Sequence, residues 1–252
     1  MCEENSLTKF INMIKDTYSK NNCSNYKELK IENDKTYRFV PLDNSNGFIV
    51  YSQEKINDKG KNNKESLFEK FKGYYEKCKD YKKIKETEET YTHRYYYYEK
   101  ISKNKNTATI IMMNPAFAYS ANNDPTIKNI KDYLNRQNNK YGSFCIINLY
   151  PMRMPNSNIL TEFINLTEYE IQKNQKFVIK YLENASSNNK IIAAWGSNKK
   201  DNEIAYELFK KNNVDFYCYG ITKDGFPRHF SPKSYWRKGK FEELQEYKIK
   251  RP

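Results

Sequence analysis

Thr107–Thr126 reads TATIIMMNPAFAYSANNDPT, and this stretch decides the fold. Ala108, Ile110, Ile111, Met112 and Met113 form a short apolar run, the pattern of a strand covered on both faces. It stops at Asn114-Pro115, because proline cannot donate to a ladder and biases the residue before it away from helix. A polar loop follows, and Asp124-Pro125-Thr126 opens a helix. A buried strand that delivers a polar residue into a loop at its carboxyl end is where open α/β sheets bind ligands.

Working outward, the pattern from about Tyr91 alternates strand and helix. Tyr95–Ile101 (YYYYEKI) reads as a strand, with two rings inward and two outward. Thr126–Gln137 is a helix with Ile127, Ile130 and Leu134 on one face. Phe144–Leu149 (FCIINL), Ile191–Trp195 (IIAAW) and Phe216–Tyr219 (FYCY) are further buried strands. Residues 167–183, with Thr167 as cap, and 199–212 are helices, and a short helix is expected near Phe241–Tyr247. Alternation of this kind predicts an α/β fold, a parallel central sheet with helices on both faces. That domain spans 91–252, its core ending near 240.

Residues 1–90 read as an N-terminal α+β extension. Residues 5–20 form an amphipathic helix through Leu7, Phe10, Ile11 and Ile14. Residues 36–51 form a hairpin around Asp43–Gly47, and Gln53–Lys64 is a polar loop. A second amphipathic helix runs from Ser66 to Lys83, before the acidic Glu86–Glu89 boundary.

Composition narrows the function classes. The 252 residues carry 44 Lys and Arg against 31 Asp and Glu, a net charge of +13. That charge suits a polyanionic partner such as DNA, although a Lys-, Asn-, Ile- and Tyr-rich chain also acquires lysine through codon bias. No apolar run approaches the roughly 20 residues that span a bilayer, and MCEENSLTKF has no signal-peptide core. Five scattered cysteines without a CxxC pair fit a reduced cytoplasm and argue against a Cys-based zinc site.

In a parallel sheet the four strand ends converge on one crevice. They carry Asn114, Phe117 and Tyr119; Asn148, Tyr150 and Arg153; Trp195, Gly196 and Ser197; and Gly220 through Lys223, Arg228, His229 and Ser231. No HExxH, GxSxG or GxxxxGKS is present, so zinc-protease, serine-hydrolase and P-loop chemistries lack support. Amides read base edges, aromatics stack on bases, and a histidine stabilises a developing anion. A positioned amide or Asp124 can orient a water. This set suits recognition of an extruded nucleobase and cleavage of its glycosidic bond.

The order MMNP (112–115), IIN (146–148), WG (195–196) and HFSP (229–232) resembles the uracil-DNA glycosylase superfamily, with its GxNP or GxDP, LLN, WG and HPSP motifs. More closely, residues 91–232 resemble an uncharacterised bacterial and phage family, domain-of-unknown-function family 1643. The likeness is carried by Arg94-Tyr95, MNPA with DPT (124–126), NLY with Arg153, AAWG (193–196) and TKDGFPRHF (222–230). The resemblance implies a uracil-DNA glycosylase-like fold and a DNA glycosylase that removes a modified or non-standard base, without metal or cofactor. A family shared with phages implies phage DNA as a partner and a part in phage–host conflict.

Carried over by position, Asn114 matches the water-orienting residue, Asn148 the base reader and His229 the stabiliser of the departing base. Phe117, Tyr119 and Tyr150 are candidates to hold the base. Arg153, Ser197, Lys223, Arg228, Ser231 and Lys233 are candidates for DNA phosphate. The sequence departs from the superfamily pattern at Met112, Ala116 and Phe230, and Lys233–Trp236 replaces a Leu-Ser wedge, so Tyr235 or Trp236 is the candidate to enter the duplex.

Plainer readings stand beside these. Asn114 is also a natural turn residue before proline, Asp124 a helix cap and Trp195 a core residue. A non-catalytic nucleic-acid or nucleotide-binding module fits the same crevice. So does a nucleotide-processing enzyme with Lys223, Arg153 and Arg228 on phosphate.

Overall fold

A computed structural model describes residues 27–31, 35–41, 47–53, 93–115, 124–138, 140–153, 168–183, 189–210, 214–232 and 243–249. The amphipathic segments 5–20 and 66–83, the loop after Gln53 and the acidic stretch 86–89 lie outside the described residues.

The strands are β1 (Lys27–Ile31), β2 (Lys35–Pro41), β3 (Gly47–Gln53), β4 (His93–Lys100), β5 (Thr107–Met112), β6 (Ser143–Asn148), β7 (Lys190–Ala193), β8 (Phe216–Cys218) and β9 (Gln245–Tyr247). The helices are α1 (Pro125–Asn135), α2 (Glu168–Glu183) and α3 (Lys199–Phe209). Among the described residues, these nine strands join one sheet in the order β1-β2-β3-β4-β6-β5-β7-β8-β9.

The parallel sheet expected from the alternation is its centre: β6, β5, β7 and β8 run parallel. The whole is mixed, because β4 pairs antiparallel with β6 and β9 antiparallel with β8. The expected hairpin is present as β2 and β3, and β1 adds a third antiparallel strand before it. β3 in turn bonds to β4, so these strands continue the same sheet.

The helices cover both faces. On one side Ile127, Ile130, Tyr133 and Leu134 of α1 pack on Ile110, Met112, Phe144, Ile146 and Tyr97. On the other, Phe177, Val178 and Tyr181 of α2 with Ala205 and Phe209 of α3 pack on Ile111, Cys145, Ile147 and Trp195. Buried apolar area on both faces is the main stabilising term. No helix among the described residues is long and apolar enough to cross a membrane.

Two expectations are corrected. The residues near 241–247 contribute a strand rather than a helix at Gln245–Tyr247. The ring of Tyr247 lies 6.0 Å from that of Trp195, and this packing against the core outweighs the weak helical pattern of a charged tail. None of the rings Tyr95–Tyr98 faces outward: all four are buried. The β3–β4 register shifts between Val50 and Tyr51, stepping from Tyr96 to Arg94 and passing over Tyr95. The bulge puts Tyr95 on the α2/α3 side with Tyr96 and Tyr98, while Tyr97 faces α1.

Gly142, just before β6, carries a local prediction. Its carbonyl accepts the N–H groups of Ile101 and Ser102 at 2.8 and 3.0 Å. A Cβ there would lie 1.6 Å from the Asn104 carbonyl oxygen, which is backbone and cannot swing away. Gly142→Ala is expected to destabilise the fold by about 2 kcal/mol, read as a lower urea midpoint at unchanged slope.

Candidate functional site

Because β6, β5, β7 and β8 are parallel neighbours, their carboxyl ends share one edge of the sheet. The chain passes from β5 through α1 to β6 on one side, then through α2 to β7 on the other side of β5. The connections therefore diverge around β5 and leave a crevice there.

Alternation along β6 sends Phe144 and Ile146 toward α1 and Ile147 toward α2 and α3. Asn148 continues the α1 face. It is 1% exposed, and neither Nδ2 nor Oδ1 of its side chain has a hydrogen-bond partner. Leaving such a group unmatched costs about 1–3 kcal/mol. Its backbone, in contrast, is pinned. Asn174 of α2 donates from Nδ2 to the carbonyls of Asn148 at 2.7 Å and Leu149 at 3.0 Å.

On the same side, α1 opens at Asp124, a buried N-cap whose Oδ1 accepts the N–H groups of Thr126 at 2.8 Å and Ile127 at 3.3 Å. Capping is thus one role that Asp124 fills. Asn114 is half-buried, and its Nδ2 donates to the carbonyl of Pro115 at 3.2 Å, the local bond expected of a turn asparagine.

His229 comes from the loop after β8. Its Nδ1 accepts the N–H of Ser231 at 2.9 Å, so the neutral ring carries its proton on Nε2. Burial pushes its pKa down to about 4, against the pull of the Asp124 carboxylate. At neutral pH the side chain is an uncharged N–H donor. Around it the backbone is fixed: Tyr219 donates its hydroxyl to the His229 carbonyl at 2.6 Å, and Asn129 of α1 donates to that of Phe230 at 2.8 Å.

The preceding turn is closed by bonds from Thr222 N–H to the Phe226 carbonyl, 2.8 Å, and Arg228 N–H to the Gly220 carbonyl, 2.9 Å. Gly225 adopts φ +82°, which a side chain would resist. Arg228 is half-buried and donates from Nε to the carbonyl of Ile221 at 3.2 Å.

The end of β7 is held from inside α3. Asn202 accepts from Trp195 Nε1 at 2.8 Å and donates to the carbonyls of Gly196 at 3.1 Å and Asn198 at 2.7 Å. Gly196 takes φ +99°, and a Cβ on it would stand 3.6 Å from that of His229. Trp195 is a core residue.

The structure therefore brings Asp124 close enough to His229 for their charges to interact, while Asn148 lies on the α1 face at the end of β6 and Asn114 follows the end of β5. Tyr150, expected beside the base, is turned into the α2/α3 core, away from Asn148. There Asp201, 4% exposed with Oδ2 unpartnered, adds to the upward pull of burial on the Tyr150 hydroxyl's pKa. Burial alone lifts the Asp201 carboxyl to about 7. Arg153 is 0% exposed and is not a surface cation. Lys223 and Ser197 are exposed and Ser231 is half-buried. Phe117, Tyr119, Lys233, Tyr235 and Trp236 lie outside the described residues.

Sequence reasoning missed Asn174, Asp201 and Asn202. The signal available was position: Asn174 follows Ile171 by three and precedes Val178 by four, and Asn202, Ala205 and Phe209 share a stripe. Each polar residue thus sits on a helix face that points at the core. Among the described residues no three His, Cys, Asp or Glu side chains are grouped to hold a metal ion.

Fold and crevice define a mixed α/β protein with helices flanking both faces of a central sheet and polar groups converging at its carboxyl edge. The chain belongs to the family described as "Protein of unknown function (DUF1643)", matched over residues 94–230. No curated protein and no solved structure matches it.

Proposed function

We propose that this protein is a DNA glycosylase-like enzyme of the uracil-DNA glycosylase kind, which binds an extruded, modified or non-standard base and hydrolyses its glycosidic bond. The observation that carries the reading is the side-chain amide of Asn148, buried with donor and acceptor both unmatched. A planar base edge offers an adjacent donor and acceptor and meets both at once.

His229 supplies the second part. A neutral Nε2–H stabilises charge that develops on a leaving base without first having to lose a proton. The +13 charge favours a polyanionic substrate, and phage DNA with modified bases is the partner class that the family resemblance implies.

The test is base release from DNA carrying uracil, 5-hydroxymethyl or glucosylated pyrimidines, read as alkali-sensitive breaks and free base by mass spectrometry. The unaltered protein is expected to release one of these bases, and His229→Ala to lower the rate by about 100-fold. Intact DNA across the panel with salt-sensitive binding retained would replace the enzyme with a binding module.

A further inference from the structure

The ladder between β4 and β6 opens at the carboxyl end of β6. Its last regular pair is Tyr96 opposite Ile147, and contact resumes where Arg94 N–H donates to the Pro151 carbonyl at 2.7 Å and His93 bridges Met152. Tyr95 on one strand therefore spans the stretch Asn148–Tyr150 on the other, and Arg94 and Asn148 border the same gap.

Both side chains leave the sheet on the α1 face. Asn148 does so by alternation with Phe144 and Ile146. Arg94 does so because of the bulge. Plain alternation from Tyr97 and Tyr96 would send Arg94 to the α2/α3 side, but the register passes over Tyr95 and reverses it. Its Cζ accordingly stands 5.9 Å from the centre of the Tyr97 ring, which packs on the α1 side. Re-aiming one side chain in this way is a common use of a bulge beside a site.

Arg94 is 3% exposed. A guanidinium at that depth is out of line with a DNA backbone running over the surface, and it meets what enters beside the Asn148 amide. Charge decides what that is. Glu99 and Asp124 also act on Tyr97, and Lys131 pairs with Glu99 at 2.6 Å, so these groups balance and leave no surplus to single out an anion. The guanidinium holds its N–H donors in one plane and takes two adjacent neutral acceptors at once, as it does with O6 and N7 of guanine.

Resting on the reading that this crevice holds a base, we propose that Arg94 is a base-binding residue that, with Asn148, selects bases presenting a ring N–H, a carbonyl oxygen and a further neutral acceptor in a row. The amide meets the ring N–H and the carbonyl, and the guanidinium meets the carbonyl and the further acceptor. Two kinds of base carry that row. A 6-oxopurine offers N1–H, O6 and N7, and a 4-oxopyrimidine with an oxygen on its C5 substituent offers N3–H, O4 and that oxygen. Uracil lacks the third group.

Free bases test this without DNA or turnover. Hypoxanthine, 5-hydroxymethyluracil and uracil are titrated into the full chain, with binding read by calorimetry and by the rise in Tm. One of the first two is expected to bind about 10-fold more tightly than uracil, and the one that does identifies the kind of base. Arg94→Met keeps an apolar stem over the Tyr97 ring without donors, and Arg94→Lys keeps the charge without the planar fork. Both are expected to bring the preferred base down about 10-fold, to the level of uracil, while uracil itself falls less. Uracil bound by the unaltered protein as tightly as the other two, or a preference that survives both substitutions, overturns this assignment and leaves the glycosylase reading standing. The expected preference in a protein that releases no base from DNA upholds the assignment and overturns hydrolysis. Binding of none of the three overturns both.

Discussion

Asp201→Asn will gain stability over the unaltered protein as pH rises, the difference between them growing by on the order of 3 kcal/mol from about pH 5 to about pH 8. The cause is the carboxyl in the first turn of α3, buried with Oδ2 unpartnered and lifted from 3.8 to about 7 by desolvation. Between those values the folded chain holds a proton that the unfolded chain has released. Stability from this group is complete below about pH 4 and is lost as pH rises through about 7.

His229 works in the opposite sense. Its pKa falls from 6.5 to about 4, so its contribution is present above the higher value and is lost as pH falls through the lower. In the unaltered protein the two slopes oppose each other between about 4 and 6.5. His229 is common to both proteins and drops out of their difference. Urea melts of the pair at the two pH values isolate Asp201. A difference that stays constant with pH would mean that Asp201 is ionised in the folded state throughout.

What the sequence made legible follows from where side-chain chemistry is local. The strands β5, β6 and β7 announce themselves as contiguous apolar runs, because both faces are covered. Their polar endings, Asn114 and Asn148, stand out against those runs. β1 did not stand out, since KELKI alternates lysine and glutamate with Leu29 and Ile31 on a strand at the sheet's margin. β9 is three residues long and exists through its pairing with β8, a contact no local pattern encodes.

In the site, the loop residue His229 was readable by type and motif. Asn174, Asp201 and Asn202 were not, because a polar residue in an amphipathic helix reads as solvent-facing until the helix is docked. Tyr150 and Arg153 show the same limit. Which face each takes depends on how the chain turns after β6, and that turn is set by bonds from Leu149 N–H to Met112 and Tyr150 N–H to Met113, across to β5.

The second large effect falls on Asn148, where binding and stability pull apart. If its amide serves a ligand, the ligand-free fold bears the strain of two unmatched buried polar atoms. Leucine has nearly the same shape and would extend the apolar face already made by Phe144 and Ile146. Asn148→Leu is therefore expected to stabilise the protein by about 2 kcal/mol while abolishing base release and protection of the fold by base. Asn174 should continue to hold the backbone, since its bonds go to the carbonyls of Asn148 and Leu149, which the substitution leaves in place. Urea melts and the base-release assay read the two effects on one sample. A loss of stability greater than about 1 kcal/mol would show that the amide is satisfied within the fold, and Asn148 would then lose its place as the reader of the base. Gain of stability together with loss of function is the pattern of a group kept polar and buried for what it binds.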